Sequence, residues 1–241
     1  MVSNSLLPES LPVFDGQPFD FVAFGPHPDD IEHTIGGSII RWSDAGKRIL
    51  FCHLTSGEAG TYGSGELRQE EARAAAKACG AELLFLNFED SNIHDTPEAR
   101  RAIIAVIRAY KPGAIFAPYY HFPLMHPDHE ATGEIVRAAF RMARFKGIDT
   151  GQETHWTRYL FHYLLPPDVR PSFVVDVSDV LERWLEAAHC YESQVNNIPN
   201  YYNRIMSFKK THLAHHPAAE ALEPFYCDQP LDLADLDLIR L

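Results

Sequence analysis

Short apolar runs that alternate with segments of helical periodicity constrain the fold of this 241-residue chain more than any other sequence feature. Residues 19–25 and 48–54 are rich in aromatic and β-branched side chains, which is typical of buried strands. Residues 97–110 place apolar side chains three and four positions apart, which predicts a helix with one buried face. Because strands that alternate with helices favour a mostly parallel sheet covered on both faces, a three-layer α/β fold is expected.

The same criteria place the remaining elements and leave one domain. Strands are predicted at 19–25, 48–54, 82–88, 113–119, 159–165 and 172–177, and helices at 38–45, 66–79, 97–110, 128–145 and 180–195. The glycine-rich segment 56–65 is predicted to be a flexible loop. With no repeat and no linker, residues 1–241 are expected to form one Rossmann-like domain with a less regular tail from about Asn196.

Composition excludes several classes of protein and partner. With 21 Lys and Arg against 33 Asp and Glu, the formal charge is −12, which opposes binding to nucleic acid or anionic membranes. No apolar run reaches the roughly 20 residues of a membrane-spanning helix, and the first residues lack the pattern of a secretory signal. Four cysteines without a C-x-x-C pair favour a reducing compartment, so a cytoplasmic protein is expected.

Two clusters of histidine and aspartate follow predicted strands. His27-Pro28-Asp29-Asp30 follows the first strand, and His126-Pro127-Asp128-His129 follows the fourth. Ligands of open α/β sheets bind beyond the carboxyl ends of the strands, and catalytic zinc takes three protein ligands from His, Asp and Glu. The clusters supply two histidines and one carboxylate, with an aspartate and a histidine left for acid–base work. The competing interpretation is a pair of proline-stiffened turns whose aspartates cap helices.

Other catalytic arrangements lack their motifs. The sequence has no G-x-S-x-G elbow, no Walker A motif and no G-x-G-x-x-G fingerprint, and no cysteine lies in a recognisable nucleophile context.

The two clusters also carry a resemblance to a known family. Together with Gly36-Gly37, Ser56-Gly57-Glu58, Arg68-x-x-Glu71 and Asp90, they make the sequence similar to the PIG-L/LmbE-like family of zinc-dependent N-acetylglucosaminyl deacetylases. The likeness extends over about residues 20–195, and residues 174–195 resemble the bacillithiol-type bacterial branch. It implies a hydrolase that removes the N-acetyl group from an N-acetylglucosamine-type conjugate, a small-molecule substrate.

The resemblance also implies roles for individual residues. His27, Asp30 and His129 would bind Zn²⁺, with another divalent transition metal such as Fe²⁺ as the alternative. Asp29 would act as general base, and His126 would stabilise the oxyanion and protonate the amine. The other implied roles are the orientation of His126 by Asp128 and contacts with substrate by Arg68, Asp90 and Glu58. Without the resemblance, Arg68 could be a solvated residue of a first helical turn, and Asp90 part of an Asx turn.

Departures from the family pattern leave the substrate open. Pro26 replaces the usual alanine before His27, and Ile31 stands where part of the family has glutamate. Leu124 and Met125 precede the second cluster, where relatives often carry a tyrosine or arginine that contacts substrate. The alternatives are therefore an amidase for a non-sugar N-acyl substrate and a non-catalytic metal- or sugar-binding protein. Family members tend to form homo-oligomers, so a homo-oligomer is expected here.

The remaining histidines are assigned more ordinary positions. His121 could approach the site, but a backbone-bonded loop histidine is the simpler interpretation, and His33 could either cap a helix or border the site. His189 is expected to be a packed imidazole on the helix 180–195. The last group, His212, His215 and His216, is expected to be exposed rather than to bind a structural metal.

Overall fold

Five parallel strands form the central sheet of the computed structural model, which describes residues 5–232. They are β1 Phe21–Gly25, β2 Ile49–His53, β3 Glu82–Phe85, β4 Ala114–Pro118 and β5 Tyr159–Tyr163, in the order β3-β2-β1-β4-β5. Pairing is parallel at every junction of this sheet. The expected Rossmann-like α/β fold with its parallel sheet is therefore confirmed.

Helices cover both faces of this sheet. Their bounds are α1 Asp30–Asp44, α2 Gly65–Cys79, α3 Pro97–Tyr110, α4 Pro127–Met142, α5 Leu181–His189, α6 Glu192–Val195 and α7 Tyr201–Lys210. Successive side chains of a strand point to opposite faces. Phe21 and Ala23 of β1 accordingly pack in one core with α1, and Val22 and Phe24 in another with α3 and α4. Burial on both faces explains why the strands read as continuous apolar runs.

The order of the strands positions the site. The chain moves outward from β1 through β2 to β3 and then returns to β4, which lies on the other side of β1. The connections after β1 and β4 therefore leave the carboxyl edge of the sheet in opposite directions and open a crevice, where such folds bind ligands. Both histidine–aspartate clusters lie in these two connections.

The first helix starts earlier than predicted. It begins at Asp30 rather than at residue 38, because Gly36 and Gly37 lie inside the helix and do not end a loop. A Cβ atom at Gly37 would lie 2.8 Å from the Cβ atom of Val177, and one at Gly36 would lie 3.0 Å from the ring of Trp184. Close packing of α1 thus outweighs the roughly 1 kcal/mol per residue by which glycine disfavours a helix.

The carboxyl-terminal third also differs from expectation. The helix predicted over 180–195 is divided into α5 and α6, because the backbone of Tyr191 between them has a ψ of 60°, which is not helical. From Asn196 onward, the segment expected to be less regular contains α7 and a strand, β7 Leu222–Phe225, which pairs antiparallel with β6 Phe173–Asp176. Within the described residues, no helix is long and apolar enough to cross a membrane.

Candidate metal centre

The first cluster forms the connection between β1 and α1. Asp29 occupies the N-cap position of α1 with φ of 94°, an unusual value for a residue with a side chain. Its carboxylate makes no capping hydrogen bond and is free for other contacts. Asp30 starts the helix, and its Oδ2 accepts a hydrogen bond from the backbone N–H of His27 at 3.0 Å and lies 3.2 Å from His27 Nδ1.

The second cluster begins α4 at the neighbouring strand end. His126 is the N-cap, and Pro127 follows at the first helical position, where its fixed φ suits a helix. His129 then lies in the first turn with its Nε2 only 2.7 Å from Asp30 Oδ1. Its other nitrogen, Nδ1, lies 3.3 Å from the carbonyl oxygen of His126, which orients the ring so that Nε2 faces the crevice.

The three predicted metal ligands are brought together. His27, Asp30 and His129 each offer one ligand atom, and these atoms all lie within 4.8 Å of one another. Two imidazoles and one carboxylate are the donors that catalytic zinc uses when it keeps a position for water. The donor set therefore fits Zn²⁺, and Fe²⁺ is compatible with the same donor types. Among the side chains described, the groups that could hold a metal lie in this crevice, and none includes His212 or His216.

Arg68 lies against the predicted general base. Its Nη2 is 3.2 Å from Asp29 Oδ2 and donates a hydrogen bond to the carbonyl of Pro28, and its Nη1 donates to the carbonyl of Gly57. Burial raises the pKa of the Asp29 carboxyl above its ordinary value, although the positive charge of Arg68 opposes this rise. The guanidinium is buried, so Arg68 is not the solvated residue of the simpler interpretation.

The carboxylate of Asp128 contacts a different histidine from the one expected. Its Oδ2 lies 3.2 Å from Nε2 of His27 and also accepts the backbone N–H of Ser91. The hydrogen bond between Asp128 and His126 is made by the backbone N–H of Asp128, which donates to His126 Nδ1 at 3.3 Å. The expectation that the Asp128 carboxylate orients His126 is therefore not met in this structure, because that carboxylate faces the first cluster.

His126 is the exposed member of the centre. Its ring centroid lies 5.0 Å from that of His27 and 6.1 Å from that of His129, so it borders the ligands on the solvent side. An imidazole in this position can reach a substrate that enters the crevice.

Asp90 and Glu58 join two loops beside the ligands. Asp90 Oδ1 lies 3.1 Å from His27 Nε2, and Asp90 Oδ2 accepts the backbone N–H of Ala59 at 2.8 Å. The two carboxylate oxygens of Glu58 accept the backbone N–H groups of Asp90 and Ser56. Glu58 itself is exposed, whereas Asp90 is buried. These contacts hold the glycine-rich loop 56–65 against the connection that follows β3.

Sequence reasoning considered His33 near the site but did not predict that it pairs with Tyr201 behind Asp29. His33 Nδ1 lies 4.0 Å from Asp29 Oδ2, and the hydroxyl of Tyr201, at the start of α7, is within 2.9 Å of both His33 ring nitrogens. The periodicity of α1 could have placed His33 one turn after Asp29. Nothing in the sequence indicated that a helix of the carboxyl-terminal segment would reach it.

The other residues noted in the sequence lie at the periphery. His121 is exposed and pairs with Glu130. His189 is also exposed and is hydrogen-bonded to Tyr202, whereas the sequence predicted a packed imidazole. Leu124 is 89% exposed, so the loop before the second cluster presents an apolar side chain to solvent.

The fold and the donor set together define an α/β protein with a candidate divalent-metal site at the carboxyl edge of its sheet. The family model described as PIG-L, GlcNAc-PI de-N-acetylase, matches residues 22–140. Over 184 residues the chain is 32% identical to a diacetylchitobiose deacetylase of Thermococcus kodakarensis, covering 70% of this chain and 67% of the relative. It is also 31% identical over 183 residues to a probable N-acetyl-α-D-glucosaminyl L-malate deacetylase 2 of Bacillus cereus, covering 70% of this chain and 80% of that relative. This chain belongs to the PIG-L family.

A solved structure shows the same architecture. The conserved protein TT1542 of Thermus thermophilus superposes with a TM-score of 0.81 at 28% identity, over 89% of this chain and 96% of that one.

Proposed function

We propose that this protein is a zinc-dependent deacetylase that removes the N-acetyl group from a conjugate of N-acetylglucosamine. The observation that carries the proposal is the convergence of His27, Asp30 and His129 on one point, with Asp29 and His126 beside them. The deacetylases among the relatives support the reaction, and both named substrates contain N-acetylglucosamine units.

The chain's own residues supply the acid–base steps. Bound at His27, Asp30 and His129, Zn²⁺ would polarise the acetamide carbonyl and lower the pKa of a coordinated water. Asp29 is held by Arg68 and would accept the proton that the attacking water releases. His126 lies on the solvent side and would donate a proton to the departing amine nitrogen. Both groups are needed for turnover but not for binding, which favours an enzyme over a non-catalytic binding protein.

The groups around the base border the amino sugar. Arg68 and Glu58 are proposed to line the sugar site, Arg68 while it also fixes Asp29. The apolar Leu124 at the rim lies where the part of the conjugate beyond the sugar would leave the crevice. All four cysteines are free, which supports a cytoplasmic enzyme, and assembly into a homo-oligomer stays a proposal based on the family.

Paired substitutions at the first cluster test the proposal. Asp29→Asn should retain one zinc per chain but lower kcat for acetate release by about 10²- to 10⁴-fold, because it removes the general base. Asp30→Asn should lose the metal, because it removes a ligand. Asp44→Asn, at the exposed end of the same helix, is the matched control.

Zinc content and acetate release would be measured with N,N′-diacetylchitobiose, N-acetylglucosaminyl malate and an N-acetyl amino acid. Acetate from the last substrate alone would identify a non-sugar amidase. Stoichiometric zinc with no acetate from any of the three would contradict an enzymatic function.

A further inference from the structure

The strand β3 forms one edge of the central sheet. It pairs with β2 on one side, and within the part of the chain that the structure describes no strand pairs with its other side. Its ladder continues past the strand, where the backbone N–H of Leu86 donates to the carbonyl of His53 at 2.9 Å. Backbone groups of successive residues in a strand point to opposite sides, so those of Leu83 and Phe85 point away from the sheet. The edge therefore keeps hydrogen-bonding groups open for another chain segment.

The amino-terminal segment of the chain already bonds to this edge further along. The backbone N–H of Asn87, the next outward position after Phe85, donates to the carbonyl of Leu6 at 3.0 Å. The segment then leaves the edge, and Pro8 and Pro12 form part of one wall of a groove beside β3. The edge thus accepts backbone bonding at Asn87, while the groove before it stays open.

The groove has the size of a short extended peptide. Its volume is about 770 Å³, and Leu83, Leu84 and Phe85 lie along it, with Ala76 of α2 adding apolar surface. The 4 residues of β3 span roughly 13 Å, which matches four or five residues of an extended partner. The length and the open backbone groups favour an added strand over a compact ligand.

The groove is basic, although the whole chain carries a formal charge of −12. Among the described side chains, its charged lining residues are Lys47, Arg48, Arg73, Lys77 and Glu82, so cations outnumber carboxylates. A groove lined mainly by one sign of charge concentrates ligands of the opposite sign. Acidic side chains are therefore the complement of this surface.

Two of the cations are available to a ligand. Arg73 and Lys77 lie one turn apart on the exposed face of α2, and neither forms an ion pair with a carboxylate of the described residues. Arg48, in contrast, pairs with Asp15 at 2.7 Å. The acidic side chains of a ligand are thus expected on the α2 side of the groove.

We propose that the groove beside β3 binds an extended peptide segment of a partner protein in which acidic side chains alternate with apolar ones. The backbone of that segment would bond to the outward groups of Leu83 and Phe85, which is recognition by addition of a strand. Side chains of a strand alternate between its two faces, so one set would meet Arg73 and Lys77 and the other the proline-containing wall.

This surface is separate from the metal centre. The groove contains Ile49 and Glu82, which begin β2 and β3, whereas the metal centre lies beyond the carboxyl ends of β1 and β4. A bound segment would leave the crevice open, and its binding can be measured without substrate or deacetylase activity.

Titration of the nitrogen-15-labelled full chain with the acetylated and amidated pentapeptide LDLDL, followed by NMR, tests the proposal. The amide signals of Leu83 and Phe85 should shift in a saturable manner. Lys77→Glu should raise the Kd at least about fivefold, because it replaces an attraction by a repulsion. Lys146→Glu, at an exposed lysine outside the groove, should leave the Kd within about twofold and is the matched control.

Two control peptides separate strand addition from general attraction by charge. LDLDL with N-methylated backbone amides keeps both charges but has lost its donors, so it should bind about tenfold more weakly. LKLKL should bind at least about tenfold more weakly because its charges are repelled. Equal affinity for either control peptide, an unchanged Kd for Lys77→Glu, or no shift of the two amides up to about 1 mM LDLDL would overturn the inference.

Discussion

A buried ion pair joins the carboxyl-terminal segment to the helix that carries the first cluster, and breaking it is expected to destabilise the protein strongly. Lys209 of α7 and Glu223 of β7 are in contact, and their side chains are 1% and 0% exposed. Glu223 also accepts the backbone N–H groups of Gly37 at 3.0 Å and Ser38 at 2.7 Å, both in α1. Lys209 Nζ donates to the carbonyl of Thr34 and lies 4.3 Å from the centre of the Trp184 ring.

The magnitude follows from what each substitution leaves behind. Lys209→Met leaves a buried carboxylate with two backbone donors, and Glu223→Gln leaves a buried ammonium with a carbonyl and an aromatic ring. Removing one member of a buried pair typically destabilises a protein by about 3–5 kcal/mol, because the other charge stays desolvated. In a chain of this size that corresponds to a fall in Tm of roughly 6–20 °C. Lys210→Met, at the exposed neighbour on α7, should change the free energy of unfolding by no more than about 0.5 kcal/mol.

Urea denaturation of the two single variants and the double variant forms the assay. The double variant removes both charges, so its loss of stability should be smaller than the sum of the single losses by at least about 1 kcal/mol. A loss of less than about 1 kcal/mol for Lys209→Met would refute the reasoning. Single losses that add within about 0.5 kcal/mol would refute it as well, because the pair would then not be coupled.

Two further predictions concern the sheet around β4. Burial lowers the pKa of His162 to about 4, so its imidazole stays neutral in the folded state, and Nδ1 lies 2.9 Å from the carbonyl oxygen of Pro118. As pH falls from about 6.5 to about 4, the unfolded chain alone takes up this proton, and the free energy of unfolding should fall by about 1.4 kcal/mol per pH unit. His162→Asn should reduce that slope in urea titrations at a series of pH values, and an unchanged slope would contradict the assignment. Gly133→Ala should destabilise by about 1–3 kcal/mol, because the new Cβ would lie 2.6 Å from the Pro118 oxygen, whereas Gly147→Ala, with open space around it, should be nearly neutral in thermal melts. Equal melting temperatures for the two glycine variants would show that the contact relaxes freely.

Features encoded by neighbouring residues could be predicted, and features created by distant contacts could not. The apolar runs of β1, β2 and β4 are local signals, and so are the two clusters that follow β1 and β4. The predicted start of α1 is too late because glycine usually interrupts a helix, and only the distant side chains of Trp184 and Val177 explain two glycines inside it. The regular structure of α7 has a cause of the same kind, because Lys209 of this helix forms a buried ion pair with the distant residue Glu223.

The same distinction explains which site assignments need the structure. The two clusters and the expected parallel sheet predict that His27, Asp30 and His129 lie in one crevice, because the ends of adjacent parallel strands lie side by side. The sequence does not decide which nitrogen of His27 faces the ligand Asp30, and that choice depends on Asp90 and Asp128, which approach from two other connections. For Asp90, the structure adds contacts with His27 Nε2 and with the backbone N–H of Ala59, and both depend on loops that are far apart in the sequence.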